Sequence, residues 1–291
     1  MVGHAKSLAF GLNVPPFLIG ITLVALGTDL PEIANSIVAS ISDHGDLNVG
    51  DSVGSAVTQM TLVLGLLPFI AGGSFVVSRD RVLLPGATIV VALATTAILL
   101  RDGWFSRSDA MLLLVMWVAM SLVIWRQAPE AGEPAMPVPA TRKGYHAAMM
   151  FLTLAAVGAG ATVAVKGMIE LASILEIPEY LIAFFGTSIG TSLPELVVGG
   201  TAIRERERDL AVGDIFGSSL LDATLSIGAG PLIAPTAVTA ALAIAGSLWG
   251  AAAITLITAM MLYLQRHNRI TGVVLLGLYA AFYPLVLMVQ T

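Results

Sequence analysis

The chain has 291 residues, of which 57% are hydrophobic and 11% charged, with mean hydropathy +0.90 and a formal net charge of −5. A soluble fold of that composition would leave far more apolar surface in water than a monomer tolerates, so the chain reads as an all-α membrane protein. It contains no cysteine, which excludes disulfides, thiolate metal sites and a cysteine nucleophile, and no basic face or aromatic platform points to nucleic acid.

In chain order, residues 1–13 lack a clean apolar core ahead of a small-residue cleavage site, so no signal peptide is predicted. Apolar runs predict spans at 15–42, 47–72, 82–100, 108–126, 145–173, 178–204, 209–234, 237–263 and 270–289. Two pairs of spans, 15–42 with 47–72 and 178–204 with 209–234, are interrupted by Gly, Pro, Ser, Thr or acid. The proline-rich polar stretch 127–144 reads as a cytoplasmic linker between a first repeat, 1–126, and a second, 145–291. The second half has five spans and the first has four. Residues 1–11 stand where a partner for 145–173 is expected, so the first helix of a ten-helix plan is read as largely missing by truncation.

The positive charges give an independent check. With the loop at 73–81 placed in the cytoplasm, eleven of the fourteen Lys and Arg residues fall on the cytoplasmic side. Only Arg101 and Arg107 fall opposite, and Lys166 lies within a span. This asymmetry obeys the positive-inside rule and supports the number of crossings.

The pattern GT-x-LPE occurs at Gly27–Glu32 and again at Gly190–Glu195, an offset of 163 that aligns 27–68 with 190–231 without a gap. Seventeen of the 42 pairs are identical, and they cluster in polar and glycine-rich positions such as Asp51/Asp214, Gly54/Gly217 and Ser55/Ser218. An odd number of crossings separates the two copies, so the repeats are inverted. Inverted repeats with helices broken near the midplane are the sequence signature of secondary transporters.

Each broken helix carries the same chemistry. Proline lacks an N–H, so Pro31 frees the carbonyl of Gly27 and Pro194 that of Gly190. A freed carbonyl in hydrocarbon needs a partner, and a cation can serve. Glu32 and Glu195 follow directly. On the next helix Ser55 and Gln59 share a face at i, i+4, as do Ser218 and Asp222. Glu32, Glu195, Asp222 and Gln59 are therefore expected at one depth, with Thr28, Thr191, Ser192, Ser55 and Ser218 beside them. All are oxygen-bearing groups, which suits a hard cation such as Ca2+. The four histidines lie near span ends, away from this set. When a divalent ion leaves such carboxylates, protons or monovalent cations must replace it, and exchange follows.

Plainer roles remain for some residues. Lys166 and Glu170, at i, i+4, are expected to pair with each other, which leaves the intramembrane acids without a basic partner. The glycines at 50, 54, 213 and 217 serve either close helix packing or the site. Asp51 and Asp214 line an ion entry path or cap helix ends. The run Arg204 to Asp209 reads as a solvated cytoplasmic loop.

The stretches ALGTDLPEIANSI with DLNVGDSVGSAVTQMTLVLG, and FGTSIGTSLPELVVG with DLAVGDIFGSSLLDATLSIG, resemble the two inverted alpha repeats of the calcium/cation antiporter superfamily, its sodium/calcium exchanger branch above all. The resemblance implies that Glu32 and Glu195 hold Ca2+ with oxygens at Thr28 and Thr191. It also implies that Asp222 binds ions or carries a proton, and that Ser55 and Ser218 contribute to flanking Na+ sites. Alternating access would come from the first and sixth helices of the family plan. No cofactor is implied; the transported ions are Ca2+ and Na+ or H+. The chain departs from the family at Asp29, usually serine, and at Gln59, Asp51, Asp214 and Ala56, usually asparagine. Asp29 adds a carboxylate beside the ion. The expectation is a Ca2+/Na+ or Ca2+/H+ antiporter of a prokaryotic-type plasma membrane, monomeric, in contact with lipid and cations alone. Alternatives are another divalent-cation exchanger, an intramembrane aspartyl hydrolase using Asp51 with Asp214 or Asp222, and a passive channel.

Overall fold

The computed structural model describes residues 14–127, 144–149 and 182–290, with isolated positions between 151 and 180. Most of the predicted span 145–173, most of the predicted linker, residues 1–11 and Lys166, with its expected pairing to Glu170, lie outside the described residues. The first broken span is α1 (Pro16–Thr28) followed by α2 (Leu30–Ile41), bent by 44°. Next come α3 (Gly45–Ile70), α4 (Arg79–Asp102) and α5 (Arg107–Gln127). In the second repeat α6 (Ile182–Thr191) and α7 (Leu193–Arg204) form a broken span bent by 42°, and α8 (Arg208–Ile233) and α9 (Ala240–Leu264) follow. The last helix is α10 (Arg269–Gln290). The predicted spans outside 145–173 match these helices to within a few residues.

Burial separates centre from periphery. The hydrophobic windows of α3 and α8 are 78% and 94% buried, whereas that of α5 is 17% buried. The outward face of α5, with Met111, Val115, Leu122 and Trp125 exposed, meets lipid. The two central helices are also the polar, glycine-rich ones, which identifies the middle of the molecule as the place where chemistry is held.

Both repeats deform their helices at the same places. Gly20–Val24 in α1 and Ile182–Thr187 in α6 are π-turns, as are Gln59–Val63 in α3 and Asp222–Ser226 in α8. Such turns shift the side chains that follow and recur at functional sites.

Two short strand pairs tie the halves together. β1 (Phe75–Val76) pairs antiparallel with β4 (Arg266–His267), and β2 (Trp104–Phe105) pairs with β3 (Thr236–Ala237). Each pair joins a loop of the first repeat to one of the second. Both loops of a pair fall on the same membrane face in the orientation derived from the positive charges.

Candidate cation site between the repeats

The breaks fall at mirror residues. α1 ends at Asp29 (φ −75°, ψ 2°) and α6 at Ser192 (φ −79°, ψ 4°), each in the bridge conformation that stops a helix. Pro31 and Pro194 follow in the first turns of α2 and α7, where a missing N–H costs nothing. Two half-helix C-termini, ending at Thr28 and Thr191, thus direct their carbonyls to the centre, where the helix dipole favours positive charge. Glu32 and Glu195 lie in the first turns of α2 and α7, where the dipole favours a carboxylate. Both are fully buried.

Each half-helix docks on the second helix of the opposite repeat. Gly213 and Gly217 of α8 press on Phe17 and Ile21 of α1, and Gly50 and Gly54 of α3 press on Tyr180, Ala183 and Phe184. A Cβ on Gly217 would lie 2.5 Å from the Ile21 carbonyl oxygen, and one on Gly54 would lie 2.5 Å from that of Phe184. The four glycines are therefore packing contacts, and the closeness they allow brings polar groups together. The Thr28 hydroxyl lies 3.4 Å from Asp214 Oδ1 and 3.2 Å from Ser218 Oγ. In mirror image, the Thr191 hydroxyl lies 3.3 Å from Asp51 Oδ1 and 3.1 Å from Ser55 Oγ. Asp51 and Asp214 are thus fully buried partners of the site threonines and not helix caps at the interface.

The remaining sequence-predicted residues are at the same centre. Gln59 accepts from Ser219 Oγ at 3.0 Å, and Asp29 accepts from Ser226 Oγ at 3.4 Å. Glu32 is close enough to Glu195, Asp222 and Asp51 for their charges to interact, and Asp29 to Asp222, Glu32 and Glu195. Both carboxylate oxygens of Glu32, Glu195 and Asp222 lack a hydrogen-bond partner, as does Ser192 Oγ. Glu195 has Thr28, Asp29 and Ser218 as polar neighbours, yet none at hydrogen-bond geometry. A buried carboxylate without a partner is strongly disfavoured, and a ligand carrying positive charge would offset that cost. Among the described residues no three His, Cys, Asp or Glu side chains are close enough together to hold a metal ion by themselves. A cation there would draw on the two glutamates together with hydroxyl and freed carbonyl oxygens.

Several supporting residues escaped the sequence reading. Asn35 Nδ2 donates to Asp51 Oδ2 at 2.6 Å, and Thr58 and Ser188 lie 3.2 Å apart across the α3–α6 contact. Pro68 and Pro231 also lie inside helices, and each frees the carbonyl four residues earlier. The Leu64 carbonyl accepts from His267 Nε2 at 2.8 Å, while the mirror carbonyl of Ile227 accepts from Asn48 Nδ2 at 3.0 Å and Ser36 Oγ at 3.4 Å. The proline spacing signals the freed carbonyls, but nothing local names their partners.

Residues 1–126 and 145–288 match the family model described as sodium/calcium exchanger protein. CaxA of Alkalimonas amylolytica, a candidate antiporter, is 32% identical over 96% of this chain and 90% of its own length. The inner membrane protein YrbG of Escherichia coli is 32% identical over 81% of this chain and 75% of its own, and the sodium/calcium exchanger MaX1 of Methanosarcina acetivorans 26% over 97% and 91%. Among solved structures, the sodium-calcium exchanger NCX_Mj soaked with Na+ and Sr2+ superposes with a TM-score of 0.74 at 25% identity, covering 96% of this chain and 90% of that one. The repeated GT-x-LPE motif, the two broken helices and this full-length likeness agree: the chain belongs to the sodium/calcium exchanger protein family, as a multi-pass membrane cation antiporter and not an enzyme.

Proposed function

We propose that the protein exchanges Ca2+ for Na+ by alternating access, with Glu32 and Glu195 as the principal divalent ligands. The observation that carries this reading is the mirror pair itself: two fully buried glutamates, one from each inverted repeat, with all four oxygens unpartnered. Two carboxylates match the charge of one divalent ion. Thr28, Thr191, Ser55, Ser218, Ser192 and Gln59 supply the hydroxyl and amide oxygens that complete an all-oxygen shell, and Asp29 and Asp222 add charge beside it. When Ca2+ departs, the desolvated acids require replacement cations, which links its movement to theirs.

A second reading, with H+ as the coupling ion, draws support from six fully buried acids among the described residues: Asp29, Glu32, Asp51, Glu195, Asp214 and Asp222. One divalent ion offsets only two of them. The domain reading, two inverted repeats at 1–126 and 145–291 about a linker, is part of the same proposal, as is a monomeric state. The test is Ca2+ uptake into proteoliposomes under an imposed Na+ gradient or an imposed pH gradient, at clamped membrane potential. Uptake driven by outward Na+ supports the first reading, and uptake driven by outward H+ alone supports the second. Uptake indifferent to both gradients would reject exchange.

A further inference from the structure

Away from the cation site, a cavity of about 170 Å³ lies where the cytoplasmic ends of α1, α4 and α5 meet. Its lining divides by chemistry: Leu83, Leu84 and Ile124 are apolar, whereas Arg79, Asp80 and Arg81 are charged. Arg81 is only 9% exposed. Its guanidinium lies over the Phe17 ring, 4.6 Å from the centroid, and its Nη2 donates to Asp209 Oδ2 at 3.4 Å. Its Nε stands 3.6 Å from Asp80 Oδ2, too far for a hydrogen bond. Nη1, also buried, has no partner. A buried donor left unpaired is costly, so this guanidinium has capacity for an acceptor. Arg79 is exposed at the rim, where its Nη2 donates to the Gln265 side-chain oxygen at 3.1 Å. The depth is that of lipid headgroups. Trp125, near the cytoplasmic end of α5, is exposed as interfacial tryptophans are, and Leu83 faces outward beside the charged groups.

We infer that this cavity binds the headgroup of a membrane phospholipid that carries both a phosphate and a primary ammonium, the chemistry of phosphoethanolamine. Arg81 and Arg79 meet the phosphate, which a guanidinium recognises through paired N–H groups. Asp80 accepts from the ammonium, and the acyl chains leave over Leu83 to join the lipid against α5. The charge balance selects the zwitterion. Two guanidinium groups stand with two carboxylates, Asp80 and Asp209, so the cluster is already neutral and a purely anionic headgroup adds an unbalanced charge. A headgroup with both signs instead sets each of its charges against an opposite one. A choline headgroup has the same net charge, but its quaternary nitrogen has no N–H to give Asp80.

The test uses the full chain, delipidated in detergent, and native mass spectrometry with dioleoyl lipids that differ only in headgroup. Soluble phosphoethanolamine serves as the lipid-free arm. The expected result is that phosphatidylethanolamine binds at least about fivefold more tightly than phosphatidylcholine or phosphatidylglycerol, the worth of one net hydrogen bond. Soluble phosphoethanolamine at the same concentration should leave the lipid in place. Asp80→Asn should reduce ethanolamine-lipid binding to the level of choline lipid, and Arg79→Gln should weaken both. Asp80 and Arg79 are exposed, so the fold is expected to survive either change, which elution on size exclusion checks. Equal affinity for the three lipids, a preference for phosphatidylglycerol, or unchanged selectivity in Asp80→Asn would overturn the inference. Displacement of the lipid by soluble phosphoethanolamine would also overturn it, because the ligand would then be a free phosphate ester.

Discussion

Glu32 and Glu195 each stand one residue after a proline and three after a helix break, and this spacing turns a common acid into a candidate ligand. The half-helix N-terminus supports the charge of each, while burial withholds every other partner. Glu32→Gln and Glu195→Gln keep shape and hydrogen-bonding capacity but remove the charge. Each is expected to lower gradient-driven Ca2+ uptake in proteoliposomes at least a hundredfold, with elution on size exclusion unchanged; near-normal uptake by both would reject the ligand assignment. His267 is a structural counterpart outside the spans. Its Nε2 satisfies the carbonyl of Leu64 that Pro68 leaves free, and its ring meets Phe75 edge-on at 5.3 Å between centroids. Burial holds its pKa below the ordinary imidazole value. The unfolded chain therefore binds the proton more readily, and the contribution of His267 to stability is present above about pH 6.5 and lost as pH falls below it. Thermal unfolding of the wild type should show this acid sensitivity and His267→Gln should lack that part of it. His267→Leu, which leaves the Leu64 carbonyl unsatisfied, should cost about 1–3 kcal/mol at neutral pH.

At the scale of helices, the site depends on backbones approaching more closely than side chains permit. Gly217 meets the Ile21 backbone at distances where a Cβ has no room, whereas a Cβ on Gly199 would find only Leu67 and Ile215 side-chain carbons, at 3.6 and 3.8 Å. Gly217→Ala is therefore expected to push α1 from α8 and cost about 1–3 kcal/mol, while Gly199→Ala should be neutral or slightly stabilising. Thermal unfolding in detergent distinguishes them, and similar midpoints for the two variants would mean that α1 adjusts freely. Much of this architecture was legible in the sequence. The GT-x-LPE copies marked the broken helices, and the glycine spacing marked close contacts without choosing between packing and site. The π-turns at Gln59–Val63 and Asp222–Ser226 were not legible, since a π-turn differs from an α-turn by a hydrogen-bond register that no single residue type dictates. Nor was the Leu64–His267 bond, which joins positions 203 apart in the chain.

At the scale of the whole molecule, each half-helix is completed by the opposite repeat. α1 of the first repeat finds its hydroxyl and carboxylate neighbours on α8 of the second, α6 finds its own on α3 of the first, and both strand pairs cross between halves. The sequence displayed the duplication through identical residues at a constant offset, and the charge distribution displayed its inversion. It could not display the crossing-over, because an offset relates equivalent positions and says nothing of which copies touch. If one divalent ion bridges Glu32 and Glu195, its binding energy belongs to the folded molecule as a whole, and unfolding must release it from both repeats together. At Ca2+ a hundredfold above Kd, binding should raise unfolding free energy by about 2.7 kcal/mol, seen as an upward shift in Tm. Glu32→Gln should abolish most of that shift, Glu195→Gln should do the same, and the double variant should lose no more than either single one. That non-additivity is the signature of a shared ion. Two half-sized, additive losses would instead mean that each repeat binds its own ion, and the bridging geometry would be wrong.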